Sequence, residues 1–226
     1  MRILVIIPCF NEEENIERVM VDIKKYLNLF DYLFINDCST DSSKDILDSK
    51  GYNHIDLPVN LGLNGAVQTG YKYAYMNNYD AAIQFDGDGQ HQSKYITKMV
   101  AEMEKGSDIV IGSRFVTKKK ELSLRMLGSR LLTLLIKITT KKNITDPTSG
   151  MRLLSRKMLK LYGFSMNYKP EPDSLALEIR RGTIVTEIQV EMNDRVAGIS
   201  LYSGIYNSVK YMTKMIISIL ILNNWR

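Results

Sequence analysis

The sequence predicts an α/β fold in which a mostly parallel central sheet is flanked by helices. Two observations predict it. Short apolar runs, Ile3–Ile7, Tyr32–Asn36, His54–Leu57 and Ala81–Phe85, alternate with longer stretches of helical periodicity. Strands separated by helices of that size require right-handed crossovers, which lay the strands parallel and cover the sheet with helices. Each of three runs also stops abruptly at polar residues: Pro8-Cys9-Phe10-Asn11, Asn36-Asp37 and Asp86-Gly87-Asp88. With 226 residues, 45% hydrophobic and 24% charged, the chain has the makeup of an ordinary globular protein with one well-buried core. The organisation expected is one domain over residues 1–203 and an apolar, amphipathic C-terminal helix over 204–226.

The elements follow in order. Ile3–Ile7 is a strand ended by Pro8. Asn11 is a capping candidate, and Glu12, Glu13 and Glu14 place acid in a first helical turn, where the dipole favours it. Ile16, Val19, Met20, Ile23 and Leu27 then recur at helical spacing. Tyr32–Asn36 is the second strand, and Ser39–Ser43 supplies turn and capping residues before Ile46 and Leu47. His54–Leu57 is a short third strand, Gly62–Met76 a helix, and Ala81–Phe85 a fourth strand running into Asp86. Tyr71, Tyr73 and Tyr75 alternate on that helix, cannot share one face, and are read as packing residues. In the second half Asp108–Gly112 is a strand. Leu124, Leu127, Leu131, Leu134 and Ile138 form a helical stripe, and Asp146–Gly150 is a turn. Met151–Leu154 and Ile184–Met192 are strands, Leu175–Arg180 is a helix, and Ile205–Leu222 is an apolar tail.

Charge and cysteine content narrow the function classes. The net charge of +5 is concentrated: Lys118, Lys119, Lys120, Arg125, Arg130, Lys137, Lys141 and Lys142 crowd the helix that carries the leucine stripe. Few aromatics are interleaved and no nucleic-acid-binding signature appears, so an anionic lipid surface is the expected partner and nucleic acid is not. Cys9 and Cys38 are too few for a disulfide framework and are expected to be reduced thiols of a cytoplasmic protein. Ile3–Ile7 is expected to be a strand rather than a secretory core. The uninterrupted apolar run Met215–Leu222 falls well short of the roughly 20 residues a spanning helix needs, so the tail is expected at an interface or against a partner.

In sheets of this kind ligands bind beyond the carboxyl ends of the strands. That rule gathers the three polar segments on one rim. Asp86 and Asp88 stand two residues apart at a strand end, where alternation sends both side chains the same way. Paired hard-oxygen ligands suit Mg²⁺ or Mn²⁺ held jointly with a diphosphate. Gly87 and Gly89 allow close backbone approach, and Gln90 and His91 follow as further ligands or donors.

The combined motifs resemble glycosyltransferase family 2. They are Ile6-Ile7-Pro8-Cys9-Phe10-Asn11-Glu12-Glu13-Glu14-Asn15-Ile16, Ile35-Asn36-Asp37-Cys38-Ser39-Thr40-Asp41, Asn60-Leu61-Gly62-Leu63-Asn64-Gly65-Ala66, Phe85-Asp86-Gly87-Asp88-Gly89-Gln90-His91, Gly112-Ser113-Arg114-Phe115 and Asp146-Pro147-Thr148-Ser149-Gly150-Met151-Arg152. Their order is similar to the polyprenyl-phosphate sugar synthase branch, over roughly residues 3 to 200. The resemblance implies a Rossmann-like GT-A fold and a metal-dependent hexosyltransferase. It implies that Pro8, Asn11, Glu12, Asp37, Gly65 and Gly87 bind the nucleotide sugar, with Asp37 accepting from the base. Asp86 and Asp88 hold the metal with Gln90 as a third ligand. Arg114 and Arg195 face phosphates, and Arg130, Arg152 and Ser200 join them on the acceptor side. Asn36 and Cys38 replace a commoner Asp and Gly, and Leu63 stands where a lysine is often found.

The implied reaction is an inverting, in-line displacement at the anomeric carbon, with Asp88, Asp146, Arg114 and Arg195 as the catalytic set. A UDP-sugar is favoured over a GDP-sugar. A polyprenyl phosphate acceptor is already anionic and needs only cations. A saccharide hydroxyl needs a carboxylate base, Asp146 first and then Glu171 or Asp173. The expected setting is the cytoplasmic membrane face, in cell-wall or surface polysaccharide assembly, with self-association and a small membrane-protein partner. Two other classes stay open: a nucleotidyltransferase, whose glycine-rich basic loop is replaced here by Pro8–Glu12, and a non-catalytic nucleotide-sugar-binding subunit.

Overall fold

The structure is a computed structural model and describes residues 1–120, 124–166, 168–193 and 205–221. Strands β1 (Ile3–Cys9), β2 (Asp31–Asn36), β3 (His54–Asp56), β4 (Ala81–Gln84), β5 (Ile109–Ser113), β6 (Arg152–Ser155) and β7 (Val185–Gln189) form one sheet in the order β3-β2-β1-β4-β6-β5-β7. The helices are α1 (Ile16–Ile23), α2 (Ser43–Ser49), α3 (Gly62–Met76), α4 (Ile96–Glu104), α5 (Leu124–Thr140), α6 (Arg156–Phe164), α7 (Pro172–Arg180) and α8 (Ile205–Leu220).

Every strand pair is parallel except those of β6, which runs antiparallel to β4 and β5, with Ile83 opposite Leu153 and Ile111 opposite Arg152. That reversal matters for the site. The parallel strands end at the rim, whereas β6 begins there, so the turn at Asp146–Gly150 arrives beside Asp86.

The seven residues of β1 are all buried and alternate between two cores. Leu4 and Ile6 point into the core shared with α3, α5, α6, α7 and α8, and Ile3, Val5 and Ile7 into the core shared with α1 and α4. A strand covered on both faces reads as a continuous apolar run, as this one does. Tyr71 of α3 is fully buried facing α6, where its ring meets Tyr162 edge-on at 6.3 Å between centroids.

The structure adds α4 and α6, which the sequence reading did not assign. It starts α7 at Pro172, a residue suited to the first turn, and shortens the last strand to Val185–Gln189. The first helix stops at Ile23, so Leu27 is not on its buried face. Helix α5 buries Leu132 and Ile136, while the stripe Leu127, Leu131, Leu134 and Ile138 faces outward. Helix α8 is built onto α5 and α7: Met215 and Ile219 are buried in the main core, Ser218 Oγ donates to Asp173 at 2.6 Å, and Arg180 donates to the Ile219 carbonyl at 2.8 Å. Among the described residues no helix is long and apolar enough to cross a membrane.

Candidate active site

The Asp86-Gly87-Asp88 turn leaves β4 at the centre of the rim. Asp86 N–H donates to His91 Nδ1 at 2.9 Å, and Gln84 Nε2 donates to Asp86 Oδ1 at 3.0 Å. Gln90 N–H donates to Asp88 Oδ1 at 3.0 Å, and Arg18 Nη2 donates to the Asp88 carbonyl at 2.7 Å. His91 is buried, lies edge-on to Phe85, and turns Nε2 to within 3.6 Å of Asp86 Oδ2. With Nδ1 accepting, the neutral ring carries its proton on Nε2. A Cβ on Gly87 would lie 2.6 Å from the Pro8 carbonyl oxygen, so the turn rests directly on the end of β1. The Gln90 side chain is directed toward Asn193, whose carbonyl accepts from Nε2 at 3.5 Å.

One flank of the rim is a pair of interlocked loops. Asn11, at positive φ, accepts from Thr40 N–H at 2.8 Å and donates its own N–H to Ser39 Oγ at 3.1 Å. Glu12 N–H donates to Ser43 Oγ at 2.9 Å. Asp37 is buried at the end of β2, and its Oδ1 accepts from Leu61 N–H at 2.7 Å, tying it to the entry of α3. Gly65 packs against the Leu61 side chain, where any Cβ would collide. The unusual Asn36 also acquires a reason: its amide donates to Asp56 Oδ1 at 2.7 Å, which a second carboxylate could not do.

The other flank is cationic. Asp146 is fully buried, and Arg114 grips it with two prongs, Nε to Oδ2 at 2.7 Å and Nη2 to Oδ1 at 2.9 Å. Arg114 N–H and Thr148 Oγ1 donate to the same carboxylate at 3.2 and 3.1 Å, and Glu187 of β7 accepts from the Thr145 and Asp146 amides. Burial acts to lower the Arg114 pKa, but the paired Asp146 carboxylate overrides it and raises it. Gly150 brings this turn against Asp86, with a Cβ there falling 3.0 Å from Oδ2.

Lys120, which the sequence reading did not separate from its neighbours Lys118 and Lys119, is half-buried beside this pair. It donates to Ser129 Oγ at 2.8 Å and Thr133 Oγ1 at 3.0 Å, and it faces the Phe115 ring, as Arg114 does. Burial holds its pKa below the ordinary lysine value, with the Asp146 charge acting in the opposite direction. Arg130 is exposed on α5 and donates to the Lys120 carbonyl at 2.6 Å.

Four expected site residues are placed differently from the sequence reading. Arg152 is 2% exposed and donates to the Ser149 and Pro147 carbonyls at 3.0 and 2.6 Å, so it braces the Asp146–Gly150 turn from inside and does not face solvent. Asp146 has both oxygens engaged by Arg114, which is not the state of an open base. Glu171 and Asp173 are drawn toward Asn64, Lys214 and Ser218. Arg195 and Ser200 lie outside the described residues.

The donor set at the turn fits a hard divalent cation. Among the described residues no group of three or more His, Cys, Asp or Glu is placed to hold a metal ion by itself. Two carboxylates completed by phosphate and water oxygens are the way Mg²⁺ is usually held.

The model of the family described as "Glycosyl transferase family 2" matches residues 4–163. The chain belongs to glycosyltransferase family 2. It is 28% identical over 216 residues to an undecaprenyl-phosphate mannosyltransferase of Micrococcus luteus, covering 90% of this chain and 88% of the relative. A polyprenol monophosphomannose synthase of Mycolicibacterium smegmatis is 25% identical, covering 90% of this chain and 82% of the relative. A UDP-N-acetylglucosamine–dolichyl-phosphate N-acetylglucosaminyltransferase of Methanococcus voltae is 30% identical, covering 74% of each. In fold the chain is similar to glucosyl-3-phosphoglycerate synthase from Mycobacterium tuberculosis, solved with Mn²⁺ and UDP-glucose. The TM-score is 0.67 at 19% identity, over 98% of this chain and 78% of that one. The family 2 chain thus has the GT-A fold, with the Asp86–Asp88 turn at the middle of its sheet.

Proposed function

We propose that this family 2 protein transfers a sugar from a UDP-sugar to a polyprenyl phosphate at the inner face of a membrane, with inversion at the anomeric carbon. One observation carries the acceptor assignment. The flank opposite the nucleotide loops offers the cations Arg114, Lys120 and Arg130, and its one central carboxylate, Asp146, is bound at both oxygens. Such a site suits an acceptor that is already anionic and needs positioning, not deprotonation. The names of the relatives from Micrococcus, Mycolicibacterium and Methanococcus point the same way.

In this reading Pro8, Asn11, Glu12 and Gly65 shape the nucleotide pocket, and Asp37 accepts from the base. Asp86 and Asp88, aided by Gln90, hold Mg²⁺ or Mn²⁺. Bound there, the cation would supply positive charge to offset that of the departing nucleoside diphosphate. Arg114, fixed by Asp146, orients the acceptor phosphate for attack, and Arg195 is assigned to the donor phosphates. Arg152 acts on the acceptor side indirectly, by holding the turn that carries Asp146.

Membrane contact is assigned to α5. Its outward stripe of Leu127, Leu131, Leu134 and Ile138 is flanked by Arg130, Lys137 and Lys141, the makeup of a helix lying in an anionic interface. A long acceptor anchored in that interface would present its phosphate beside Lys120. Cell-wall or surface polysaccharide assembly is the expected setting.

The test is transfer of label from UDP- and GDP-sugars to undecaprenyl phosphate. Label entering the organic phase and released by mild acid supports the reading. Label found only on a soluble saccharide overturns it and returns Asp146 to the role of base.

A further inference from the structure

The Asp86–Asp88 turn is held from below by a residue of α1 that no motif singles out. Arg18 Nη2 donates to the Asp88 carbonyl at 2.7 Å across 70 residues of sequence. Its guanidinium fills the space where a Cβ on Gly89 would stand, and Gly89 takes a positive φ of 72°. Arg18 Nε is buried with no hydrogen-bond partner, and among the described residues Arg18 forms no ion pair with a carboxylate. A buried donor left unused is unfavourable, so the position is not explained by the stability that Arg18 itself gains.

We propose that Arg18 is a positioning residue for the divalent cation: it fixes the Asp88 peptide so that the Asp86 and Asp88 carboxylates are set before the cation arrives. The inference rests on the reading that these two carboxylates take a cation. The turn is clamped at both ends. His91 Nδ1 accepts a hydrogen bond from the Asp86 N–H, and Arg18 Nη2 donates one to the Asp88 carbonyl. The guanidinium bonds the Asp88 carbonyl oxygen and not its side chain, so Arg18 acts on the turn through the peptide. Groups that orient metal ligands in this way typically change metal affinity by about 10–100-fold when removed. The charge of Arg18 acts oppositely, since a nearby cation repels a divalent ion. The two effects therefore predict opposite signs, which makes the inference testable.

The experiment measures Mn²⁺ binding to the full chain with saturating UDP, from the electron paramagnetic resonance signal of free Mn²⁺. Wild type is compared with Arg18→Met and Arg18→Lys, with thermal midpoints recorded without metal. The expected result is Mn²⁺ affinity weakened about tenfold in Arg18→Met and partly recovered in Arg18→Lys. Unchanged or tighter affinity in Arg18→Met, with wild type binding normally, overturns this inference alone. Absence of Mn²⁺ binding by wild type overturns the metal reading and this inference with it. Should Arg18→Met not fold, Arg18→Gln is used, since its shorter neutral side chain cannot reproduce the guanidinium. Affinity equal to wild type in Arg18→Gln overturns the proposal.

Discussion

Arg114 and Asp146 form a two-pronged ion pair whose acidic partner has no solvent exposure, with N–O distances of 2.7 and 2.9 Å. Removing one partner of a buried pair strands the other, which costs about 3–5 kcal/mol. Arg114 is partly exposed and can relax toward solvent, so the lower end applies. Asp146→Ala is expected to lower the thermal midpoint by about 6–12 °C, at roughly 2–4 °C per kcal/mol for a chain of this size. Calorimetry checks this. Arg114→Lys retains the charge but loses the fork, and should reduce transfer more than it reduces stability.

Two glycines separate packing from chemistry. A Cβ on Gly70 of α3 would overlap Ile6 of β1, away from the rim, whereas one on Gly87 would press on the Pro8 carbonyl beneath the metal turn. Gly70→Ala is expected to destabilise by about 1–3 kcal/mol while leaving KM for the donor unchanged. Gly87→Ala should reduce kcat and metal affinity beyond any loss of stability. Denaturant unfolding alongside steady-state kinetics distinguishes the two.

Both cysteines are free thiols, but they differ in burial. Cys9 is buried in the core against α1, and burial pushes its pKa up to about 12, so the thiolate is scarcely populated at neutral pH. Cys38 is half-buried at the rim. Alkylation of the native protein at neutral pH should label Cys38 and spare Cys9 until denaturant is added, as read by peptide mass spectrometry.

Lys120 links the acceptor flank to pH. Burial lowers its pKa in the folded chain, against the opposing charge of Asp146 and in the company of Arg114, Arg130 and Glu187. Between that lowered value and the ordinary 10.5, the unfolded chain binds more protons than the folded one, so this group makes stability rise with pH across the window. Acceptor binding should move oppositely, weakening as Lys120 loses its charge. Titration of the Lys120 side chain by NMR should give a pKa below the ordinary lysine value of 10.5. The alkaline fall in acceptor affinity should shift to higher pH in Lys120→Arg.

Much of the rim was legible because strand ends announce themselves. Ile3–Ile7 and Ala81–Phe85 are apolar runs followed by Pro8 and Asp86, and the rule for parallel sheets does the rest. Strand β1 nevertheless continues past Pro8 to Cys9, in register with Ile35 and Asn36 of β2. The direction of β6 was not legible, since a strand of four residues carries no mark of its orientation. Arg152 was misplaced because a charged side chain is rarely so buried. Its two carbonyl partners, Pro147 and Ser149, appear only once the turn has folded. Nothing local distinguishes Lys120 from Lys118 or Lys119, because the difference comes from Ser129 and Thr133 on α5. Helix α4 is another matter: Ile96, Met99 and Met103 recur at helical spacing and are all buried, a signal that the sequence carries in full.

The most direct test of the account uses UDP-sugars labelled in the sugar, undecaprenyl phosphate, and Mn²⁺, with wild type and Asp88→Asn assayed side by side. Wild type is expected to move label into an acid-labile organic-phase product. That transfer should cease when Mn²⁺ is chelated, and Asp88→Asn should lose nearly all of it while remaining folded. Transfer that persists in Asp88→Asn, or that is indifferent to chelation, would contradict it.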